Sequence, residues 1–178
     1  LGEMMHRLVL GGESSPPLYT LLLHFWIKLG TSDEHIKLLS VLFGTASVGA
    51  IYLLASRLGN HMAALVSCLL LSVSESAIHY SIEARAYSLF LFLSLLSSFC
   101  FVSALRTQPE KRFGLNSVWV GYIAVTVLAV YSHWFCLLLP AIHAAGLIIY
   151  RPRTLRPVFQ FALCLAMIGT LCAPLSSS

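Results

Sequence analysis

Within His79-Tyr-Ser-Ile-Glu-Ala-Arg-Ala-Tyr87 stand an imidazole, a carboxylate, a guanidinium and two phenols. They lie between two apolar runs, Met62 to Val73 and Ser88 to Leu105, that carry no charge. Ionisable groups in such surroundings are costly unless they face water or a polar cavity. Arg85 could bind a phosphate, and Glu83 or His79 could position a hydroxyl or a proton. On an unbroken helix Glu75, His79, Glu83 and Tyr87 would share one face at i, i+4 spacing, with Arg85 pointing elsewhere. The same residues also suit a plain interfacial Glu–Arg pair with aromatic anchors, Tyr80 and Tyr87 among them. A second gathering, Tyr131, His133 and Trp134, allows the same two interpretations.

Length decides where this stretch must lie. One helix from Met62 to Leu105 would be about 66 Å long, over twice a bilayer core of about 30 Å. The chain must therefore turn back somewhere in 75–87, which puts the polar cluster at the turn. No Gly or Pro marks the bend, so its residue is not readable. The expectation is a membrane enzyme with this turn on the rim of its active site.

Composition agrees with a bilayer. Of the 178 residues 58% are hydrophobic and only 10% charged, against about 25% charged in an ordinary soluble domain. Cys68, Cys100, Cys136, Cys164 and Cys172 stand singly in apolar runs without Cys-x-x-Cys pairing, so they read as small buried hydrophobes. The net charge of +4 is spread over the gaps between runs, which speaks against a nucleic-acid surface. No initiator Met or signal peptide is visible, and the chain reads as a fragment of a longer polytopic protein.

The elements that must position the cluster follow in order. From Pro16-Pro17 an apolar run reaches only Leu29, too short to span, and 17–30 is expected as an interfacial helix along the membrane surface. Six runs long enough to cross follow, at 36–56, 62–79, 86–105, 117–133, 135–150 and 157–174. The fold class expected is thus all-α, a polytopic transmembrane helix bundle, with 1–35 ending a first outer loop and 36–178 forming the crossings. Arg57, then Arg106, Lys111 and Arg112, then Arg151, Arg153 and Arg156 fall in every second gap. The positive-inside rule places those gaps in the cytoplasm, and residues 1–35, the 75–87 turn and the His133 turn together outside. His143, beside Ala144, Ala145 and Gly146 in mid-run, reads as a hydrogen-bonded histidine between closely packed helices. Tyr19 and His24, five residues apart, cannot share one helix face. No internal repeat, Gly-rich phosphate loop, nucleotide fingerprint or HExxH motif is present, so a sugar or phosphate donor would have to be something other than a soluble nucleotide.

Three ordered stretches carry a resemblance. Ser15-Pro-Pro-Leu-Tyr-Thr20, with the following Leu-Leu-Leu-His-Phe-Trp26, resembles the His-Pro-Pro-Leu-Tyr-Tyr segment of the protein O-mannosyltransferase/aminoarabinose-transferase superfamily. Tyr80-Ser-Ile-Glu-Ala-Arg-Ala-Tyr87 is similar to the Tyr-Ser-Gln-Glu-Ala-Arg-Met-Tyr signature of its bacterial branch, and Tyr131-Ser-His-Trp-Phe135 to that branch's Tyr-Thr-His-Tyr-Phe. The resemblance implies a GT-C membrane glycosyltransferase that takes a sugar from a polyprenyl-phosphate donor. The acceptor would be a protein, lipid or glycan at the outer face of the bacterial inner membrane. It implies site-lining roles for Pro17, Tyr19, Glu83, Arg85, Tyr87 and His133, beside His79 and Tyr80 from the cluster itself. The family's catalytic Asp is expected upstream of this chain, and Glu3 and Glu13 do not match its position. Ser15 stands where the family has His and Ile82 where it has Gln. No resident cofactor is implied, and a divalent metal is left open. A transporter or lipid flippase is the alternative, as is a structural membrane subunit. The former predicts ionisable groups in mid-membrane and broken helices.

Overall fold

Short polar residues cap the starts of three helices. Ser32 Oγ accepts from His35 N (3.2 Å), Asn60 Oδ1 from Ala63 N (2.9 Å) and Asn116 Oδ1 from Trp119 N (3.1 Å), each satisfying a donor that a helix start leaves unpaired. In this computed structural model the described residues are 16–106, 115–150, 152 and 154–176. They form α1 (Leu18–Trp26), α2 (Asp33–Leu58), α3 (His61–Ser72), α4 (Glu75–Ile82), α5 (Tyr87–Arg106), α6 (Ser117–Ser132), α7 (Leu138–Tyr150) and α8 (Arg156–Cys172). Single 3₁₀ turns, Trp134–Leu137 and Ala173–Ser176, precede α7 and follow α8. No strand occurs among the described residues. Glu3, Glu13, Ser15, Lys111, Arg112, Arg151 and Arg153 lie outside them.

Helix α2 is the post of the bundle, packing along α5, α3 and α4, and α5 in turn packs on α6, which carries α8. The core falls into two clusters, one toward each end. Tyr19, Leu23, Leu39, Leu89, Leu93, Ala129, Val130 and Cys136 form one. Phe101, Ala104, Trp119, Tyr122, Ile123, Leu147, Phe161, Cys164 and Ile168 form the other. Between helices the polar groups are paired: Ser97 with Thr126 at 2.7 Å, and Trp119 Nε1 donating to Gln160 Oε1 at 3.0 Å. His143 bonds Tyr122 Oη through Nδ1 (3.0 Å) and Ser98 Oγ through Nε2 (3.2 Å), and it stacks on Phe101. It is the hydrogen-bonded interhelical histidine expected from its small neighbours. Large apolar side chains such as Leu69, Leu70, Ile148, Ile149 and Phe159 stand exposed, as a lipid-facing surface requires.

Two expectations change. Among the described residues only α2 and α5 are long and apolar enough to cross by themselves. α3 with α4 makes a third span if that pair, bent by 56°, is counted as one. α6, the Trp134–Tyr150 pair and α8 are apolar but have 17 residues or fewer, so length does not establish six crossings. A further bend lies at Val73-Ser74, ahead of the turn expected within 75–87, which falls at 83–86. Ser72 Oγ bonds Cys68 O four residues back (2.8 Å), a contact that bends helices, and Ser74 adopts an extended conformation and restarts the chain as α4. The helix expected over 17–30 is also shorter, because α1 ends at Trp26 and residues 27–29 form a turn.

Candidate functional site at the rim of the bundle

The cluster is built on the connection from α4 to α5. Glu83 closes α4 with an extended backbone, Arg85 N donates to Glu83 O at 2.8 Å in a three-residue turn, and Phe90 N bonds Ala86 O (2.8 Å) to open α5. Ser88 Oγ donates to Tyr80 O at 2.8 Å, which satisfies one carbonyl left open by the end of α4. The end of α4, just before the turn, approaches α2 as closely as the glycine at position 44 permits. A Cβ at Gly44 would lie 2.8 Å from Ser81 Cβ.

The extended backbone at Glu83 breaks the expected stripe of Glu75, His79, Glu83 and Tyr87. His79 and Glu83 do pair, at 3.4 Å, and Glu75 stands exposed in the first turn of α4. Tyr87 instead opens α5 and joins a ladder of rings. His79 meets Tyr80 with centroids 5.6 Å apart, Tyr80 meets Tyr87 at 4.7 Å, and Tyr87 meets His133 at 5.8 Å. His133 also faces Phe90 at 5.2 Å and stacks on Phe135 at 5.1 Å. The exposed Arg85 guanidinium lies over the Tyr87 ring, 5.5 Å from its centroid. Of the second gathering His133 thus joins the first on one surface, along which lie Arg85, Glu83, His79, Tyr80 and Tyr87, whereas the Tyr131 hydroxyl turns to Leu171 O (3.1 Å).

His133 caps the 3₁₀ turn that follows α6. Its Nδ1 accepts from Phe135 N at 3.3 Å, so the proton of the neutral ring is on Nε2. Burial against the ring ladder holds its pKa below the ordinary 6.5. Helix α1 docks beneath the same end. Trp26 Nε1 donates to His35 O (2.8 Å), His35 Nε2 donates to Trp26 O (3.2 Å), and the two rings stack at 4.9 Å.

Tyr19 is not on the surface. It is 6% exposed, its hydroxyl pairs with the fully buried Ser40 Oγ at 2.8 Å, and burial raises its pKa. His24, by contrast, is exposed, so the two part company as their spacing requires. Pro17 is exposed at the N-cap of α1 and gives its carbonyl to Leu21 N; Pro16 is the buried member of the pair. Ser40 and Ser88 were not singled out from the sequence. Their one signal is a hydroxyl inside an apolar helix, which favours a helix interface over lipid.

A guanidinium resting on a phenol, edged by further rings and a Glu–His pair, suits an anion and a polyhydroxylated group side by side. Among the described residues no three His, Cys, Asp or Glu side chains gather closely enough to hold a metal ion. Apolar helices wrapped in exposed aliphatic side chains, with this polar rim, make the chain an integral membrane protein. It belongs to the dolichyl-phosphate-mannose-protein mannosyltransferase family, whose model matches residues 14–176, and is thereby a glycosyltransferase of the GT-C type. No curated protein and no solved structure matches the chain significantly.

Proposed function

We propose that the rim formed by Arg85, Tyr87 and His133 binds the phosphate end of a polyprenyl-phosphate sugar, and that the sugar passes from there to an acceptor hydroxyl at the outer face of the membrane. The observation that carries this reading is the exposed Arg85 guanidinium seated on Tyr87, where the ends of two helical hairpins meet. Loss of the sugar leaves charge on the donor phosphate. A preorganised cation stabilises that charge more in the transition state than in the ground state. The rings of Tyr80, Tyr87 and His133 offer faces to a sugar, and the His79–Glu83 pair offers an acceptor and a donor to its hydroxyls. The site end lies opposite Arg57, Arg106 and Arg156, and basic ends stay in the cytoplasm, so the rim faces outward. In a bacterium that membrane is the inner one. The acceptor hydroxyl is carried by a protein, lipid or glycan, and the base that activates it is assigned to no described residue.

The buried His143 does not favour a transport path. Both its ring nitrogens are bonded across helices and its face is covered by Phe101, as in a packing knot.

The test is transfer of labelled mannose from polyprenyl-phosphate mannose to endogenous acceptors, in membranes containing the full-length protein. Arg85→Ala is expected to lower kcat/KM by about 10²-fold, the scale of losing one preorganised charge-stabilising donor. Arg85→Lys, a point charge without the planar fork, should recover part of it. Transfer by Arg85→Ala at the parental rate would remove the proposed role.

A further inference from the structure

Beneath the rim a chain of hydroxyls connects three elements. Ser40 Oγ lies 3.4 Å from the main-chain oxygen of Arg85 and 2.8 Å from Tyr19 Oη. A carbonyl oxygen only accepts, so the single Ser40 proton goes to Arg85 O. The short contact to Tyr19 must then be made with the phenol's proton. The order is fixed: Tyr19 Oη–H to Ser40 Oγ, and Ser40 Oγ–H to Arg85 O. Both side chains are buried, Ser40 completely, so neither touches a substrate on the surface. The chain ends on the residue whose guanidinium stands on the rim, within the short turn where Arg85 N also bonds Glu83 O.

We propose that Tyr19 and Ser40 are positioning residues of the transfer reaction, setting the place of Arg85 from below through its own carbonyl. This rests on the phosphate-binding reading of Arg85 and deepens it. It also reassigns Tyr19 from lining the substrate site to supporting it from α1. Without the Ser40 bond the Arg85 carbonyl loses this tie to α2, and the guanidinium is presented to the phosphate from a wider range of positions. Near-attack geometry tolerates little of that.

The experiment is a double-mutant cycle in the full-length membrane protein, with polyprenyl-phosphate mannose as donor. Ser40→Ala and Tyr19→Phe should each lower kcat/KM several-fold to about tenfold, and together no further than the worse of the two, since both cut one chain. Thr45→Ala, whose hydroxyl bonds Val41 O within its own helix, serves as the control for a lost helix hydroxyl. In an Arg85→Ala background, Ser40→Ala should cost less than twofold, because the cation it positions is gone while the backbone carbonyl remains. If Arg85→Ala transfer falls below detection, the Kd for polyprenyl phosphate replaces the rate in the same cycle. A purely structural Ser40 would cost the same factor in both backgrounds, and that result overturns the proposal while leaving Arg85's role intact. Parental transfer by Arg85→Ala would instead overturn both. Equal thermal inactivation of Ser40→Ala and parent in detergent, with the rate loss present, would separate positioning from misfolding in favour of the proposal.

Discussion

At the scale of single residues, the site is a set of groups whose protons are assigned by their neighbours. His133 accepts from Phe135 N through Nδ1, so its capping role requires the neutral ring. Its folded pKa lies below the ordinary 6.5, so the folded state binds fewer protons there than the unfolded chain. The stabilisation is complete above pH 6.5 and is lost as the pH falls through the lower, folded value. Thermal inactivation in detergent should therefore steepen on acidification below pH 6.5, and His133→Asn, which can still cap, should flatten the dependence. A second residue-scale prediction concerns His143. Tyr122→Phe removes the hydroxyl bonded to Nδ1 and leaves a buried nitrogen unpaired, at a cost of about 1–3 kcal/mol. Lower thermal stability with an unchanged donor KM would identify the His143 knot as structural.

At the scale of elements, the rim depends on how closely α4 approaches α2. Gly44 permits that approach, because an added methyl group would overlap the Cβ of Ser81 at 2.8 Å. That atom belongs to the root of the side chain, so a rotamer change cannot relieve the overlap. Gly44→Ala should push α4 outward and destabilise the protein by about 1–3 kcal/mol despite alanine's better helix propensity, with a parallel loss of transfer. Ser81→Gly removes the obstructing Cβ, and the Gly44→Ala/Ser81→Gly pair should recover transfer if the defect is this contact. Failure of the second change to rescue the first would place the defect elsewhere. The bend between α3 and α4 acts at the same scale: it redirects α4 by 56°, and α4 carries His79 to its pairing with Glu83 in the turn that holds Arg85.

At the scale of the whole molecule, the two ends of the bundle differ in chemistry. Rings, Arg85 and the docked α1 gather at one end, while Arg57, Arg106 and Arg156 mark the other. With the native cysteines replaced, His79→Cys should react with an impermeant thiol reagent applied from outside the cell. Leu58→Cys should react only after permeabilisation. The reverse pattern would place the rim in the cytoplasm and remove the outer-face reaction, although the family and the geometry of the cluster would stand.

Much of this was legible in one dimension. An apolar run cannot tolerate unpaired charge in a bilayer, so charge is driven to the ends of helices. That constraint, with the length of helix a bilayer admits and the spacing of the basic gaps, located Glu83, Arg85 and Tyr87 at a turn and made the chain an all-helical membrane bundle. The motif of residues 80–87, with those of 15–20 and 131–135, pointed to the family that the comparison then matched. What no pattern held was the rotation of each helix about its axis and the exact site of a bend made by serines. Those are set by packing between elements far apart in sequence, and they decided that Tyr19 is buried on Ser40, that Tyr87 leaves the face of His79 to meet His133, and that Gly44 touches Ser81. Local hydropathy tells a residue how deep it sits, whereas only the assembled helices tell it whom it meets.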